Sequence, residues 1–227
     1  MKKLLVLTVA VASSAPWLMA KTTAEERLHE AAAVFHEIMA TPDKGIPQDL
    51  LNKAECVVIV PGLKKGAFVI GAEYGKGFVI CRNHDRMGWQ DPAAIRVEGG
   101  SFGFQIGGSE TDVVMLIMND HAMRTLDKDK FTLGADASIA AGPVGRTASA
   151  DTDAMMQAEI LSWSRSRGIF AGIALKGATL RPDMDDNKEL YGQRLTTHEV
   201  MHSTMAAPPA ARPLIGELDR YSMHKEG

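Results

Sequence analysis

The chain is predicted to be an α+β protein: a strongly curved, largely antiparallel β-sheet or partly closed barrel with N-terminal and C-terminal covering helices. Three observations lead there. Short β-branched and alternating runs succeed one another from residue 56 to residue 179, with brief connections and no βαβ rhythm. Gly99, Gly103 and Gly107 fall four apart, so on a strand they share a face without side chains, which lets a sheet bend or another backbone approach closely. Helical patterns open the chain and follow the strands.

Lys2 and Lys3 precede an apolar run, Leu4 to Ala12, and Leu18-Met19-Ala20 suits cleavage, so residues 1–20 read as a secretory signal peptide. The run is too short, and too soon broken by Ser13, Ser14 and Pro16, for a confident membrane span. Thr23 and Glu26 form a capping-box pattern, and Leu28, Ala31, Ala32, Phe35, Ile38 and Met39 recur at helical spacing until Pro42. Glu26, Glu30 and Glu37 make the outer face acidic. Pro47 can open a short second helix through Lys53.

Cys56 to Val60 is a β-branched strand ended by the turn signal Pro61-Gly62. Ala67 to Tyr74 and Gly77 to Arg82 flank Gly75-Lys76, a tight hairpin candidate. Ile95 to Ile106 is a glycine-rich strand, and Asp112 to Met118 is apolar on both faces, which predicts a strand covered on both sides. A short helix spans His121 to Leu126, and a strand spans Phe131 to Ala141. Met155 to Ser166 and Gly168 to Thr179 form a further antiparallel pair. Asp183 to Tyr191 is a short helix capped by Gly192. The folded domain is placed at 21–192. Residues 193–227, rich in Met, Ala and Pro, are expected to be a weakly ordered tail.

A formal net charge of −3 argues against bulk nucleic-acid binding, which favours a basic surface. Cys56 and Cys81 are the only cysteines; export permits a disulfide, and two buried thiols fit equally well. No pattern calls for a cofactor.

Several separated motifs resemble the SYLF domain. They are Gly100-Ser-Phe-Gly-Phe-Gln-Ile-Gly107, Thr111-Asp-Val-Val-Met-Leu-Ile-Met-Asn119, Phe131-Thr-Leu-Gly-Ala-Asp136, Ser164-Arg-Ser-Arg-Gly-Ile-Phe-Ala-Gly172 and Asn187-Lys-Glu-Leu-Tyr-Gly192, met in order. The resemblance implies a non-enzymatic domain. Eukaryotic members bind phosphoinositide membranes, and yeast relatives also bind and bundle actin. Bacterial members are mostly small exported proteins thought to bind lipids. The expected partner is therefore an anionic lipid or membrane surface, and the expected place is the periplasm, the medium or the envelope.

Lys64, Lys65 and Lys76 at predicted turns, with Arg165 and Arg167 on one strand face, are the candidate lipid- or anion-binding residues. The alternative is His198-Glu199-Val-Met-His202, an H-E-x-x-H pattern. On a helix its histidines would share a face and hold zinc, with Glu199 as general base of a hydrolase. A third reading is a structural envelope or self-assembly module.

Overall fold

In a computed structural model, which describes residues 22–41, 45–83, 88–145, 157–166, 169–173 and 175–222 (67–70, 101–107 and 170 as backbone only), the chain begins with helix α1, Ala24–Ala40. The signal-peptide reading of residues 1–20 lies outside the described residues. Thr23 Oγ1 accepts the Glu26 N–H and Glu26 accepts the Thr23 N–H, closing the capping box. Leu28, Ala31, Phe35 and Ile38 are fully buried on the inner face. Helix α2, Gln48–Lys53, follows Pro47.

Strands β1, Cys56–Cys81, and β2, Ala93–Ile117, form one long antiparallel ribbon. The two breaks expected in β1 are absent. Pro61-Gly62 sits in a register shift between Val60 and Leu63, where Gly62 takes φ 59° and its N–H donates to Asp112 Oδ1 at 2.9 Å. The glycine permits a bulge rather than ending the strand. Gly75-Lys76 is no hairpin turn either. A Cβ on Gly75 would lie 2.8 Å from the Val60 and Leu63 side chains, and one on Gly77 would lie 2.0 Å from the Ile59 carbonyl oxygen. These glycines let the two ends of β1 lie against each other. Cys56 and Cys81 are joined in a disulfide there, and the Arg82 N–H donates to the Glu55 carbonyl at 2.9 Å.

Helix α3, Asp120–Leu126, is capped by Asn119. The predicted strand from Phe131 to Ala141 divides into β3, Phe131–Thr132, and β4, Ile139–Ala141, around a turn in which Gly134 takes φ 79°. Strands β5, Ile160–Ser166, and β6, Ile169–Gly172, pair antiparallel, and β7, Thr179–Pro182, completes a seven-stranded sheet. Strand β2 holds it together: its Asp112–Ile117 stretch pairs with β5 and its Ile95–Glu98 stretch with β7. Among the described strands, only β4 and β5 pair in parallel. The sheet is curled and mostly antiparallel, with helices from both ends of the chain upon it.

Alternation on the central strands sends side chains to two cores, as the apolar Asp112 to Met118 run predicts. Val57, Ile59, Phe78, Ile80, Val114, Leu116 and Trp163 meet α1. Val58, Val60, Val79, Ile95, Val113, Met115 and Ile117 face the opposite core with Leu126 and Phe131.

Helix α4, Met184–Tyr191, is stopped by left-handed Gly192, as expected, and is capped at its start by Asp183. The following segment is not a weakly ordered tail within its described part. It forms α5, Thr197–Met201, a 3-10 turn at Pro209–Ala211, and α6, Arg212–Tyr221. Pro213 lies in the first turn of α6, where a missing N–H costs nothing. Leu214 and Leu218, four apart, are fully buried in the core beside α1. No described helix is long and apolar enough to cross a membrane.

Candidate functional site

Of the four predicted basic residues that are described, Lys64 and Lys76 line one cavity with Arg27 and Glu110, but Lys65, Lys76 and Arg165 are each paired with a carboxylate. Lys76 lies within β1 rather than at a turn, with only 16% of its side chain exposed, and its Nζ contacts Asp183 Oδ2 at 2.5 Å and Asp186 Oδ1 at 2.8 Å. Asp186 also pairs with Arg27 of α1. Burial alone would raise the Asp183 carboxyl, but hydrogen bonds from Lys76 and the Asp186 N–H, with the nearby Lys76 and Arg96 charges, hold it below its usual range. Burial would likewise lower the Lys76 ammonium, and the two aspartates raise it instead. Lys76 is thus one member of an ionic lock joining α1, β1 and α4.

Arg165 is also engaged. Its guanidinium bonds Asp112 Oδ2 at 2.6 Å and pairs with Glu37 of α1. Burial pushes this guanidinium below its ordinary value. Arg167 lies outside the described residues. Lys65 pairs with Glu73 at 3.0 Å, and exposed Lys64 stands opposite Glu110 across the ribbon. Of the predicted set, Lys64 and Lys65 remain near one feature that sequence reading did not assemble.

That feature is the bend of the ribbon. Residues 66–72 of β1 and 100–108 of β2 lie between the stretches that β5 and β7 cover, and among the described residues they pair only with each other. A Cβ on Gly66 would meet nothing within 4 Å. One on Gly100 or Gly108 would meet only a partner-strand carbonyl, at 3.8 Å in each case. Among the described residues, nothing else packs against these three positions. The two stretches, Gly66-Ala-Phe-Val-Ile-Gly-Ala72 and Gly100-Ser-Phe-Gly-Phe-Gln-Ile-Gly-Gly108, contain no charged residue. The glycine stripe was legible as a mark of curvature; that the curved part would stand apart depended on where β5 and β7 stop.

The H-E-x-x-H residues fall on α5 and its C-cap, His202, but not in a zinc-hydrolase arrangement. Glu199 closes a capping box: its Oε2 accepts the Thr196 N–H at 2.7 Å, and that bond lowers its carboxyl below the usual range. Its carboxylate is held by the helix start. His198 Nδ1 and His202 Nε2 instead converge on Asp127 Oδ2, at 2.7 and 3.3 Å, and the two rings lie 4.4 Å apart. Asp127, the C-cap of α3, went unrecognised because it lies 71 residues from His198 in sequence.

A family model described as "Ysc84: Las17-binding protein actin regulator" matches residues 98–221, from β2 through α6. The chain belongs to this Ysc84 family, the SYLF family that its motifs resemble. It is 31% identical over 182 residues to the bovine (Bos taurus) SH3 domain-containing YSC84-like protein 1, covering 80% of this chain and 53% of that one. It is 36% identical over 172 residues to the SH3 domain-containing protein PJ696.02 of Schizosaccharomyces pombe, covering 74% and 40%. Protein YSC84 of Saccharomyces cerevisiae is 31% identical over 180 residues, covering 78% and 38%. The chain therefore spans about half the length of the bovine relative and less of the yeast proteins.

Proposed function

We propose that this chain is an exported, non-enzymatic protein that associates with anionic membrane surfaces through the bend of its β1–β2 ribbon. One observation carries the reading: an uncharged, glycine- and phenylalanine-bearing bend, which among the described residues pairs only with itself, is flanked by Lys64 and Lys65. An apolar segment of this kind gains by entering the headgroup boundary. Lysines beside it add about 1 kcal/mol each near an anionic surface, a contribution that salt screens. Lys76 and Arg165 drop out of the contact because each is held by two carboxylates, Lys76 by Asp183 and Asp186 and Arg165 by Asp112 and Glu37, whereas Lys65 has the one partner Glu73.

Export rests on the leader pattern of residues 1–20 and agrees with the Cys56–Cys81 disulfide, a bond that persists in oxidising compartments. The periplasm or the medium, with envelope association, is the proposed place. Descriptions of the family and its relatives speak of actin regulation and SH3 domains rather than of a reaction, which supports a binding role.

Vesicle co-sedimentation tests the reading. The chain is expected to pellet with phosphatidylglycerol vesicles at low salt, to pellet less at high salt, and to prefer them over phosphatidylcholine vesicles. No preference for the anionic vesicles at low salt, where charge attraction is greatest, would contradict it.

A further inference from the structure

We infer that Asp127, His198 and His202 form a binding site for one divalent transition-metal ion of the zinc class, clamping α5 to the end of α3. This is independent of the membrane reading. The ligating atoms of the three residues all lie within 4.8 Å of one another. His198 of α5 and His202, the C-cap that follows it, come four apart, which sets both rings on one side of the helix. Asp127 Oδ2 faces both ring nitrogens, while Asp127 Oδ1 is buried without a hydrogen-bond partner among the described residues.

As an ion-pair cluster this arrangement is poorly balanced. A single carboxylate oxygen serves two imidazoles, each of which must carry a proton on the facing nitrogen, and the second oxygen is left idle. One cation in their midst would use the lone pair of each neutral imidazole and the charge of the carboxylate together. Tetrahedral ligands at zinc distances of about 2.1 Å stand roughly 3.4 Å apart. The observed separations from Asp127 Oδ2, 2.7 and 3.3 Å, need to open by less than an ångström.

Imidazole and carboxylate together suit zinc and its first-row neighbours rather than calcium or magnesium, which prefer all-oxygen sites. Three protein ligands leave a fourth position for water. His202 lines a cavity of about 280 Å³ with Cys81, Arg82, Met123, Arg124 and Met201, beside the disulfide. With Glu199 held in the helix cap, the site lacks the base of a zinc hydrolase, so it is assigned to binding and to fixing α5 in place.

The test is zinc titration of the tag-free, EDTA-treated chain, with a chromophoric chelator as competitor and thermal unfolding in parallel. One zinc per chain and a raised unfolding temperature are expected at neutral pH. Affinity should fall at least about tenfold for His198→Gln, His202→Gln and Asp127→Asn, as loss of a ligand predicts. Binding should also weaken as pH falls, because protons and metal compete for the same ligand atoms. Because both histidine side chains are largely exposed, His198→Gln is expected to keep the fold, which circular dichroism checks. No stoichiometric uptake by the wild-type chain would overturn the site and leave an ion pair only. Uptake unchanged in all three variants would overturn it equally, by placing the metal elsewhere.

Discussion

Asp186 is almost wholly buried and holds two cations at once, Arg27 from α1 and Lys76 from β1. Asp186→Ala would leave both cations in a low-dielectric site without their partner, a change that costs about 3–5 kcal/mol where such pairs are buried. Urea unfolding of that variant measures it. The same lock sets a pH dependence. Asp183 titrates below its unfolded value, so its contribution is present above pH ~4 and is lost as pH falls through the depressed folded value. Lys76 titrates above its unfolded value, so its contribution is complete below pH ~10 and is lost as pH rises through the folded value. Stability against urea should therefore be flat from about pH 5 to 9 as far as this lock is concerned, and fall toward acid less steeply in Asp183→Asn. Lys76 was legible as a cation in the sequence, but its two aspartates lie more than 100 residues away, on and beside α4. No local pattern connects them, so a buried lock was read as a surface charge.

At the scale of elements, local chemistry was readable and closure was not. The Thr23–Glu26 box and the Gly192 stop are decided within a turn of helix, and each stands where its pattern put it. The strand breaks at Pro61-Gly62 and Gly75-Lys76 failed because glycine serves close approach as well as turning. Gly77→Ala would press a methyl group against the Ile59 carbonyl and should destabilise the chain by about 1–3 kcal/mol or more. Gly66→Ala, with open space around it, should stay within about 0.5 kcal/mol of wild type. Equal effects of the two in urea unfolding would contradict the closure of β1 on itself. Helix α6 gives a second element-scale expectation. Leu218→Ala should cost about 2–5 kcal/mol, since the side chain is fully buried; a value near zero would return the segment to the weakly ordered tail its prolines suggest.

Over the whole molecule, one disulfide and one two-sided sheet organise what the chain can present. Cys56 and Cys81, 25 residues apart, tie the ends of β1 and so fix the base from which the ribbon bends. Closing a loop of that length restricts the unfolded chain by about 3–4 kcal/mol, and reduction should lower the unfolding temperature correspondingly. Both cores lie at the covered ends of the ribbon, which leaves its uncharged bend as the part without a sheet neighbour among the described residues. The most direct test of the proposed membrane contact is vesicle co-sedimentation of Phe102→Asp beside Lys64→Glu/Lys65→Glu, each first shown to unfold like wild type. Phe102→Asp is predicted to lose binding to anionic vesicles at both low and high salt, and the lysine variant to lose it chiefly at low salt. Wild-type pelleting by Phe102→Asp would contradict the ribbon as the membrane contact.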